Sequence, residues 1–216
     1  MTDRIVVYGP EGSTYVRAVR MALDEKGLRH ELRELPFADY KRAPYIAERH
    51  PFGKVPALEH ESLRLYETQA IIRYIDEVWP EPPLQPDGAR ERARMNQIVG
   101  VVDSYLVPSL AFGIIFNRLF APNMGLACDE HAVAAALPLA EVSVRALADL
   151  QHDRGPFLCG ERPAIADIMV HPIMTCARLT PEGSRILQGH PRLDGWIDTM
   201  SAHLARRQAA AGASPR

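Results

Sequence analysis

The stretch that decides the fold is IVVYGPEGSTYVRAVRMALDEKGLRHELREL, residues 5–35. Its apolar run, residues 5–8, stops at a Gly-Pro-Glu-Gly sequence, which is typical of a strand that enters a loop. A helix is predicted next, because apolar residues recur at helical spacing and Gly27 supplies a C-terminal stop. Residues 30–35 mix polar and apolar positions and predict a half-buried strand. The stretch is therefore a βαβ unit, whose sheet is at least partly parallel.

The following residues extend this unit into a small α/β domain. Residues 41–50 predict a short surface helix, and two short strand signals at 55–58 and 63–66 flank a polar turn and predict a hairpin. An apolar face then recurs at helical spacing from Thr68 onward. The predicted element order is βαβ followed by ββα.

A Pro-dense segment at residues 80–88 ends this first domain, since it can continue neither helix nor sheet. The remainder lacks strand-like alternation and predicts helices at 89–120, 130–152, 164–178 and 192–207, the first kinked near Pro108. We therefore expect an α/β domain over residues 1–79, a linker over 80–88 and an all-α domain over 89–216.

Composition and charge exclude several classes of function. The 216-residue chain is 47% hydrophobic, has a formal net charge of -2 and contains no block of like charges, so nucleic acid is not an expected partner. Its three cysteines have no metal-site spacing and predict free thiols in a reducing compartment. The N-terminus does not resemble a signal peptide, and the uncharged run 104–117 is too short for a membrane span. We expect a cytoplasmic protein without a metal.

Four motifs in order carry a family resemblance: YGPEGSTYVRAVRMALDEKG at 8–27, PFGKVPAL at 51–58, YETQAIIRYI at 66–75 and ERPAIADIMV at 161–170. With the element order and the helical second half, they make the chain resemble the soluble, cytosolic-type glutathione S-transferase family, in its bacterial theta-like and phi-like serine classes. The resemblance covers essentially the whole chain. It implies a thioredoxin-like N-terminal domain with a mixed four-stranded sheet, followed by an all-helical domain.

Ser13 stands at the start of the first predicted helix, where free N–H groups and the helix dipole favour an anion. Position alone favours a role as the N-cap. The resemblance implies instead that the Ser13 hydroxyl donates a hydrogen bond to the sulfur of glutathione and lowers the pKa of its thiol. Tyr8, at the end of the first strand, is the rival for this role. No cysteine lies in this loop to act as a nucleophile.

The resemblance also implies a binding site for glutathione. A cis Val55–Pro56 bond would present the backbone of Val55 to the cysteinyl part of glutathione, as an added strand would. Glu67 would face the ammonium group, and Thr68 with the helix N-terminus would bind the γ-glutamyl carboxylate, although Thr68 is also a natural cap. The cation for the glycine-end carboxylate would come from Lys41, Arg42 or Lys54.

In the helical domain, the resemblance assigns Asp167 to a helix-capping box, and thus to folding, although its usual Ser or Thr partner is Ala164 here. The apolar substrate is expected between the Ser13 loop and the long helix, with Arg118 at the rim as an anion contact. Two or three of five residues on that helix should line the pocket, the others being core: Tyr105, Leu106, Leu110, Phe112 and Phe116.

The resemblance thus implies a homodimeric glutathione transferase in detoxification, whose partners are glutathione as co-substrate and a small hydrophobic electrophile. Glutathione-dependent peroxidase, isomerase and lyase chemistry would use the same thiolate. A non-catalytic dimeric scaffold of the same fold is a different class, which the joint presence of Ser13, Pro56, Glu67 and Thr68 argues against. A glutathione-free carrier of hydrophobic ligands is a third, distinguished by dye binding that does not depend on glutathione.

Overall fold

A computed structural model describes residues 4–213 of the chain. The chain divides into two compact units. The first contains the described residues up to Leu84 together with those from His203 onward, and the second is Gln85–Ala202. The predicted linker is therefore split, since the residues up to Leu84 group with the first unit and the rest with the second.

The first unit contains a four-stranded mixed sheet in the order β2-β1-β3-β4, as expected for a thioredoxin-like domain. Strand β1 pairs with β2 in parallel and with β3 antiparallel, and β3 pairs antiparallel with β4. A 3-10 turn at Phe37–Lys41 precedes α2. The elements are β1 (Ile5–Tyr8), α1 (Thr14–Glu25), β2 (Glu31–Arg33), α2 (Ala43–Glu48), β3 (Ala57–His60), β4 (Leu63–Tyr66) and α3 (Thr68–Val78).

The core of the first unit follows from apolar periodicity. Every residue of β1 is buried, as expected for a central strand. Helix α3 presents Ile71, Ile72 and Ile75 as one buried face, and α1 and α3 pack against each other. Val6 and Tyr8, which alternate with Ile5 and Val7 along β1, join a separate cluster with Tyr40 and Tyr45. The sheet is thus covered by apolar side chains on both faces.

A buried ion pair fastens the end of α1 to α3 and to the chain that follows it. The ammonium group of Lys26 is fully buried and donates to Asp76 Oδ1 and to the carbonyl oxygen of Pro82, each at 2.6 Å. The amide of Leu84 donates to the same carboxylate at 2.8 Å. The Pro-dense segment up to Leu84 is therefore held by specific hydrogen bonds.

The second unit is helical. Its elements are α4 (Ala89–Val101), a π-helical segment (Val102–Phe120), α5 (Ala121–Asn123), α6 (Glu130–Leu150), α7 (Ile165–Ala177), α8 (Pro181–Gln188) and α9 (Pro191–Ala213). The sequence prediction missed α8. It predicted the other long helices, although α9 extends beyond residue 207.

The helix from Ala89 to Asn123 is continuous. Where a kink was expected, around Pro108, it has π-helical hydrogen bonds, in which each amide bonds to the carbonyl five residues earlier. The amide of Ala121 donates to the carbonyl of Phe116, five residues earlier. Pro108 has no N–H to donate, and its pyrrolidine ring clashes with the carbonyl four residues earlier. Both effects disfavour the α-helical hydrogen bond and favour the wider π-helical turn. By length and composition this helix could cross a membrane, but half of its most apolar stretch is buried inside the protein.

Asp167 lies in the first turn of α7 and is fully buried. Its Oδ2 accepts from the amide of Ala164 at 2.9 Å, and its Oδ1 accepts from Leu158 N and Trp196 Nε1, both at 2.8 Å. Burial raises the pKa of Asp167 to about 6, although these N–H donors act in the opposite direction. Because Ala164 has no side-chain acceptor, only the Asp167 half of the capping box is formed.

Candidate functional site

Ser13 is the N-cap residue of α1, as its position indicates. Its Oγ accepts a long hydrogen bond of 3.4 Å from the amide of Val16. A hydroxyl can accept and donate at once, and no acceptor among the described residues takes the Ser13 proton. No acidic residue lies in the first turn to neutralise the positive helix end. The partly exposed hydroxyl can therefore donate to an anion.

Gly9 brings the start of α1 close to the Val55 segment. Its φ is +146°, a conformation that L side chains rarely adopt. A Cβ at this position would lie 2.4 Å from Val16 Cγ2 and 3.0 Å from Val55 Cβ. The absence of a side chain at Gly9 thus lets the loop that carries Ser13 approach Val55.

Tyr8, the rival of Ser13, has its hydroxyl engaged within the protein. The ring is 3% exposed, and its oxygen accepts from Arg33 Nη1 at 3.0 Å and donates to Glu59 Oε2 at 3.3 Å. The guanidinium of Arg49 lies over the ring, 4.8 Å from its centroid. Both capacities of the hydroxyl are used, so in this arrangement Tyr8 has no free donor for a ligand.

The Val55–Pro56 bond is cis, as the resemblance implied. Val55 is half-buried, and its amide and carbonyl form no hydrogen bond within the part of the chain that the structure describes. The ladder between β1 and β3 begins only at Ala57, opposite Tyr8. Val55 therefore offers one backbone donor and one acceptor that a peptide-like ligand can pair with.

Glu67 and Thr68 stand where β4 meets α3. Glu67 is exposed and adopts φ 71°, an uncommon conformation for a non-glycine residue that is often found at functional sites. Its side chain does not cap α3. The hydroxyl of Thr68 has no hydrogen-bond partner among the described residues, although Thr68 is only 7% exposed. The N-terminus of α3 thus keeps donors for a carboxylate.

His50, which the sequence analysis missed, lies among the charged candidates. The residue is 2% exposed, and its ring contacts that of Tyr66, with ring centroids 4.9 Å apart and ring planes tilted by 39°. Its Nδ1 accepts a hydrogen bond from the amide of Phe52 at 3.4 Å. The pKa of His50 is lowered, and burial is the main cause. The charge of Glu67 opposes this shift, and the charges of Lys54 and Lys41 add to it. The three charges are therefore near enough to act on this buried ring. Only tertiary contacts reveal this position of His50, which a lone histidine before Pro51 does not signal.

The three candidate cations differ in their surroundings. Arg42 is paired with Asp39, with Nη1 at 2.8 Å from Oδ1. Lys41 and Lys54 are exposed and have no ion-pair partner among residues 4–213. The Lys41 chain lies over Gly53, since a Cβ there would be 3.2 Å from Lys41 Cδ. Lys41 and Lys54 are thus better placed than Arg42 to bind an anionic ligand.

The five predicted substrate-pocket residues separate by burial. Leu106 and Leu110 are fully buried and pack in the core of the second unit, so they do not line an open pocket. Tyr105 is 51% and Phe112 63% exposed, and Phe116 is half-buried. Apolar spacing along the helix could not separate these two groups, because both recur at helical intervals.

The expected rim contact, Arg118, is engaged by carboxylates. Its Nη2 lies 2.6 Å from Glu182 Oε1, and its Nη1 lies 2.5 Å from Glu130 Oε1. These bonds raise the pKa of Arg118 well above its usual range. Arg118 therefore joins the π-helical segment to α6 and α8, and the expectation of a free anion contact is corrected.

Two further observations concern other kinds of site. A cleft of about 500 Å³ in the second unit is lined mainly by charged residues of both signs, including Arg90, Arg94, Asp149 and Arg154. None of the predicted substrate residues lines it. Among the described residues, no group of three or more His, Cys, Asp or Glu side chains is arranged to hold a metal ion.

Two family models match this chain. The model described as glutathione S-transferase, N-terminal domain, matches residues 7–83. The model described as glutathione S-transferase, C-terminal domain, matches residues 130–199. The first match contains Ser13 and all the glutathione-binding candidates, and the second contains Asp167.

Curated relatives cover almost the whole chain. Glutathione S-transferase 4 of Zea mays is 30% identical over 97% of this chain and 93% of its own length. Glutathione S-transferase F10 of Arabidopsis thaliana is 29% identical over 96% of each chain.

Solved structures share the fold. Glutathione transferase F7 from Populus trichocarpa superposes with a TM-score of 0.79 at 24% identity, covering 94% of this chain and 98% of its own. Glutathione S-transferase I bound with lactoylglutathione gives a TM-score of 0.79 at 24% identity over 95% and 98%. At this identity the likeness supports the fold.

Proposed function

Because this chain belongs to the glutathione S-transferase family and is a glutathione transferase, we propose that Ser13 is the residue that stabilises the thiolate of its bound glutathione. The observation that carries the proposal is the Ser13 hydroxyl, whose proton is unused and which lies at a helix N-terminus with no acidic residue in its first turn. A hydrogen bond to the sulfur and the positive helix end both favour the charged form, so more nucleophile is present at neutral pH.

The rest of glutathione would be held by groups that are unpaired within the described residues. The amide and carbonyl of Val55 would pair with the cysteinyl part as an added strand, next to the buried Pro56. Thr68 and the α3 N-terminus would bind the γ-glutamyl carboxylate, and Glu67 would face its ammonium group. Lys41 and Lys54 would attract the glycine-end carboxylate, with Arg42 a weaker candidate because Asp39 already binds it.

The chemical step follows from the thiolate. The thiol proton leaves to solvent, and the sulfur lone pair attacks an electrophilic carbon of the second substrate, forming a C–S bond. In a substitution the leaving group departs with its bonding electrons, and in an addition the adjacent atom takes the electrons and then a proton. The protein contributes thiolate stabilisation and the placement of both reactants.

We assign the apolar electrophile to the exposed aromatic residues of the π-helical segment. Tyr105 and Phe112 are more than half exposed, and Phe116 is half-buried, so these side chains can contact an apolar ligand. Leu106 and Leu110 would support that surface from the core. The relatives favour this transferase activity over the peroxidase, isomerase, lyase and scaffold alternatives.

We also propose a homodimer in a reducing, cytoplasmic setting. Support comes from the family relation and from the three cysteines, all of which are free thiols. Sedimentation equilibrium tests the dimer, and a protein that stays monomeric at micromolar concentration would refute it.

The experiment that tests Ser13 measures the ultraviolet thiolate absorbance of bound glutathione across pH. We expect a thiol pKa well below the free value of about 8.5 in the parent protein and a return toward that value in Ser13→Ala. The kcat should fall by about a hundredfold at neutral pH, as when one donor to a developing anion is removed.

Two variants serve as controls for this experiment. Ser13→Ala also removes the cap of α1, at a cost of about 1 kcal/mol, whereas Ser13→Gly keeps most of the cap energy and still lacks the hydroxyl. Both should lose thiolate stabilisation. Tyr8→Phe should leave the thiol pKa unchanged, since its hydroxyl is bound to Arg33 and Glu59. A low thiol pKa in Ser13→Gly with a raised one in Tyr8→Phe would transfer the role to Tyr8.

A further inference from the structure

Tyr45 forms a contact that the proposed mechanism does not use. It is the buried residue of the short helix α2 and is 4% exposed. Its ring packs edge-to-face on Tyr40, with centroids 5.1 Å apart, in a cluster that includes Tyr8 and Ala57 and against which Val55 packs. Its hydroxyl donates to the carbonyl oxygen of Lys54 at 2.8 Å. A fixed ring thus directs a hydrogen bond at the segment beside the cis bond.

The bound carbonyl belongs to the same peptide group as the amide of Val55. A peptide group is planar, and in the trans form its C=O and N–H point in opposite directions. The Lys54–Val55 bond is trans, since the cis bonds of the described chain are Val55–Pro56 and Glu81–Pro82. A donor that holds the Lys54 carbonyl therefore also fixes the direction of the Val55 N–H.

Within the described residues, the Lys54–Val55 peptide has no other hydrogen bond that fixes its orientation. The Val55 amide and carbonyl have no hydrogen-bond partner within the described residues, and the side chain of Lys54 is exposed. Burial raises the pKa of Tyr45 well above its usual range, so its hydroxyl remains a donor at neutral pH. The tyrosine hydroxyl thus supplies the hydrogen bond that restrains this peptide plane among the described residues.

We propose that Tyr45 is a positioning residue for glutathione: its hydroxyl orients the Lys54–Val55 peptide so that the Val55 N–H points at the cysteinyl carbonyl of the ligand. This inference rests on the proposed function, in which Val55 pairs with glutathione. Tyr45 itself touches no reacting atom. Its effect falls on glutathione affinity, whereas the thiolate is stabilised at Ser13.

The variant Tyr45→Phe keeps the ring and removes only the hydroxyl. We expect the Kd for glutathione, measured by titration calorimetry, to rise by about three- to tenfold, the range of one hydrogen bond. The KM for glutathione should rise in parallel, while kcat at saturating glutathione and the pKa of the bound thiol stay at parent values. The Kd for S-methylglutathione should rise by the same factor, since this analogue keeps the cysteinyl backbone and lacks the thiol.

Tyr40→Phe is the matched control. Tyr40 is 3% exposed in the same cluster, and its hydroxyl accepts from the amide of Leu35 at 2.9 Å, away from Lys54. It should lose comparable stability and keep the parent Kd. An unchanged Kd in Tyr45→Phe, or equal weakening in both variants, would overturn the inference, the second outcome assigning the loss to packing. A parent protein that binds no glutathione would overturn the proposed function, and the role of Tyr45 with it.

Discussion

Position 9 accepts only glycine, for two separable reasons. Its φ of +146° disfavours any side chain, and a Cβ would lie 2.4 Å from the buried Val16. We expect Gly9→Ala to lower the free energy of unfolding by about 2 to 5 kcal/mol and to weaken glutathione binding, because α1 and Val55 must separate. Urea denaturation and calorimetry measure the two effects.

Gly27→Ala separates strain from crowding at position 9. Gly27 has φ +68°, also unfavourable for alanine, but no atom lies within 4 Å of its Cβ position. It should lose only about 1 kcal/mol and keep the parent glutathione affinity. Equal losses in the two variants would show that the close approach at Gly9 contributes nothing.

Asp167 predicts a pH dependence of stability with a definite sign. Its pKa is raised from 3.8 to about 6 in the folded protein, so the folded state holds this proton more tightly than the unfolded state. Its contribution to stability is therefore fully present below about pH 3.8, decreases as the pH rises through about 6 and is constant above that. The change for this fully buried group is about 2 to 3 kcal/mol.

The measurement compares the parent protein with Asp167→Asn, whose amide does not titrate. Relative to Asp167→Asn, the parent protein should lose free energy of unfolding as the pH rises from about 4 to about 6, and the difference should then stay constant. Taking the difference removes the opposite trend from carboxylates with lowered pKa values, such as Glu182 and Asp198. A flat difference over this range would contradict the raised pKa of Asp167.

At the scale of elements, the pair Lys26–Asp76 holds α1, α3 and the chain up to Leu84 together. The pair is buried, so Lys26→Met should cost about 3 kcal/mol by leaving the Asp76 carboxylate poorly paired. The double variant Lys26→Met/Asp76→Leu should recover part of that loss, because no charge remains buried alone. Chemical denaturation of the single and double variants gives the coupling directly.

An exposed ion pair provides the comparison. Arg185 and Glu141 lie 2.9 Å apart with both side chains largely exposed, and Arg185→Met should change stability by less than about 0.5 kcal/mol. If this surface variant lost as much as Lys26→Met, burial would not explain the effect of the Lys26 pair.

The elements that the sequence predicted show either apolar residues at helical spacing or short apolar runs bounded by turn residues. The mixed four-stranded sheet and helical second half are confirmed, because apolar spacing along each segment reports which face is buried. Helix α8 was missed because it is only eight residues long and contains Gly183, although the Thr180 cap and Pro181 at its first position are start signals that the sequence displays. The widened bonding around Pro108 was also missed, since a proline predicts a break and not its geometry.

The residues of the candidate site also differ in whether a local sequence pattern reports them. Ser13, Glu67 and Thr68 lie at element ends, where turn and cap patterns are visible in sequence. The contacts of His50 and Tyr45 lie between segments, and no local sequence pattern reports them. The roles of Ser13 and the binding residues stay predictions until the measurements above are made.

At the scale of the whole molecule, the C-terminal helix ends in contact with α1. His203 Nε2 lies 2.6 Å from Oε1 of Glu25, which is 3% exposed, and the guanidinium of Arg207 donates to the Glu25 carbonyl. His203→Ala should therefore cost about 2 kcal/mol in the free energy of unfolding, by weakening the pairing of a buried carboxylate. Glu25→Gln/His203→Ala should be more stable than His203→Ala alone.

His131→Ala is the control for this prediction, since His131 is exposed on α6 and has no partner among the described residues. Its stability should match the parent in thermal and chemical unfolding. A loss in His131→Ala equal to that in His203→Ala would show that the Glu25 contact contributes nothing.

The contact between Glu25 and His203 can form only late in translation, because the two residues are far apart in sequence. The two residues are 178 positions apart, so at about 5 to 20 residues per second the carboxylate is made about 9 to 36 s before its partner. During that interval the nascent first unit has its sheet sequence but lacks the C-terminal turns that contact Glu25. A chain that stops before residue 203 would therefore lack this contact and leave the buried Glu25 side chain without its histidine partner.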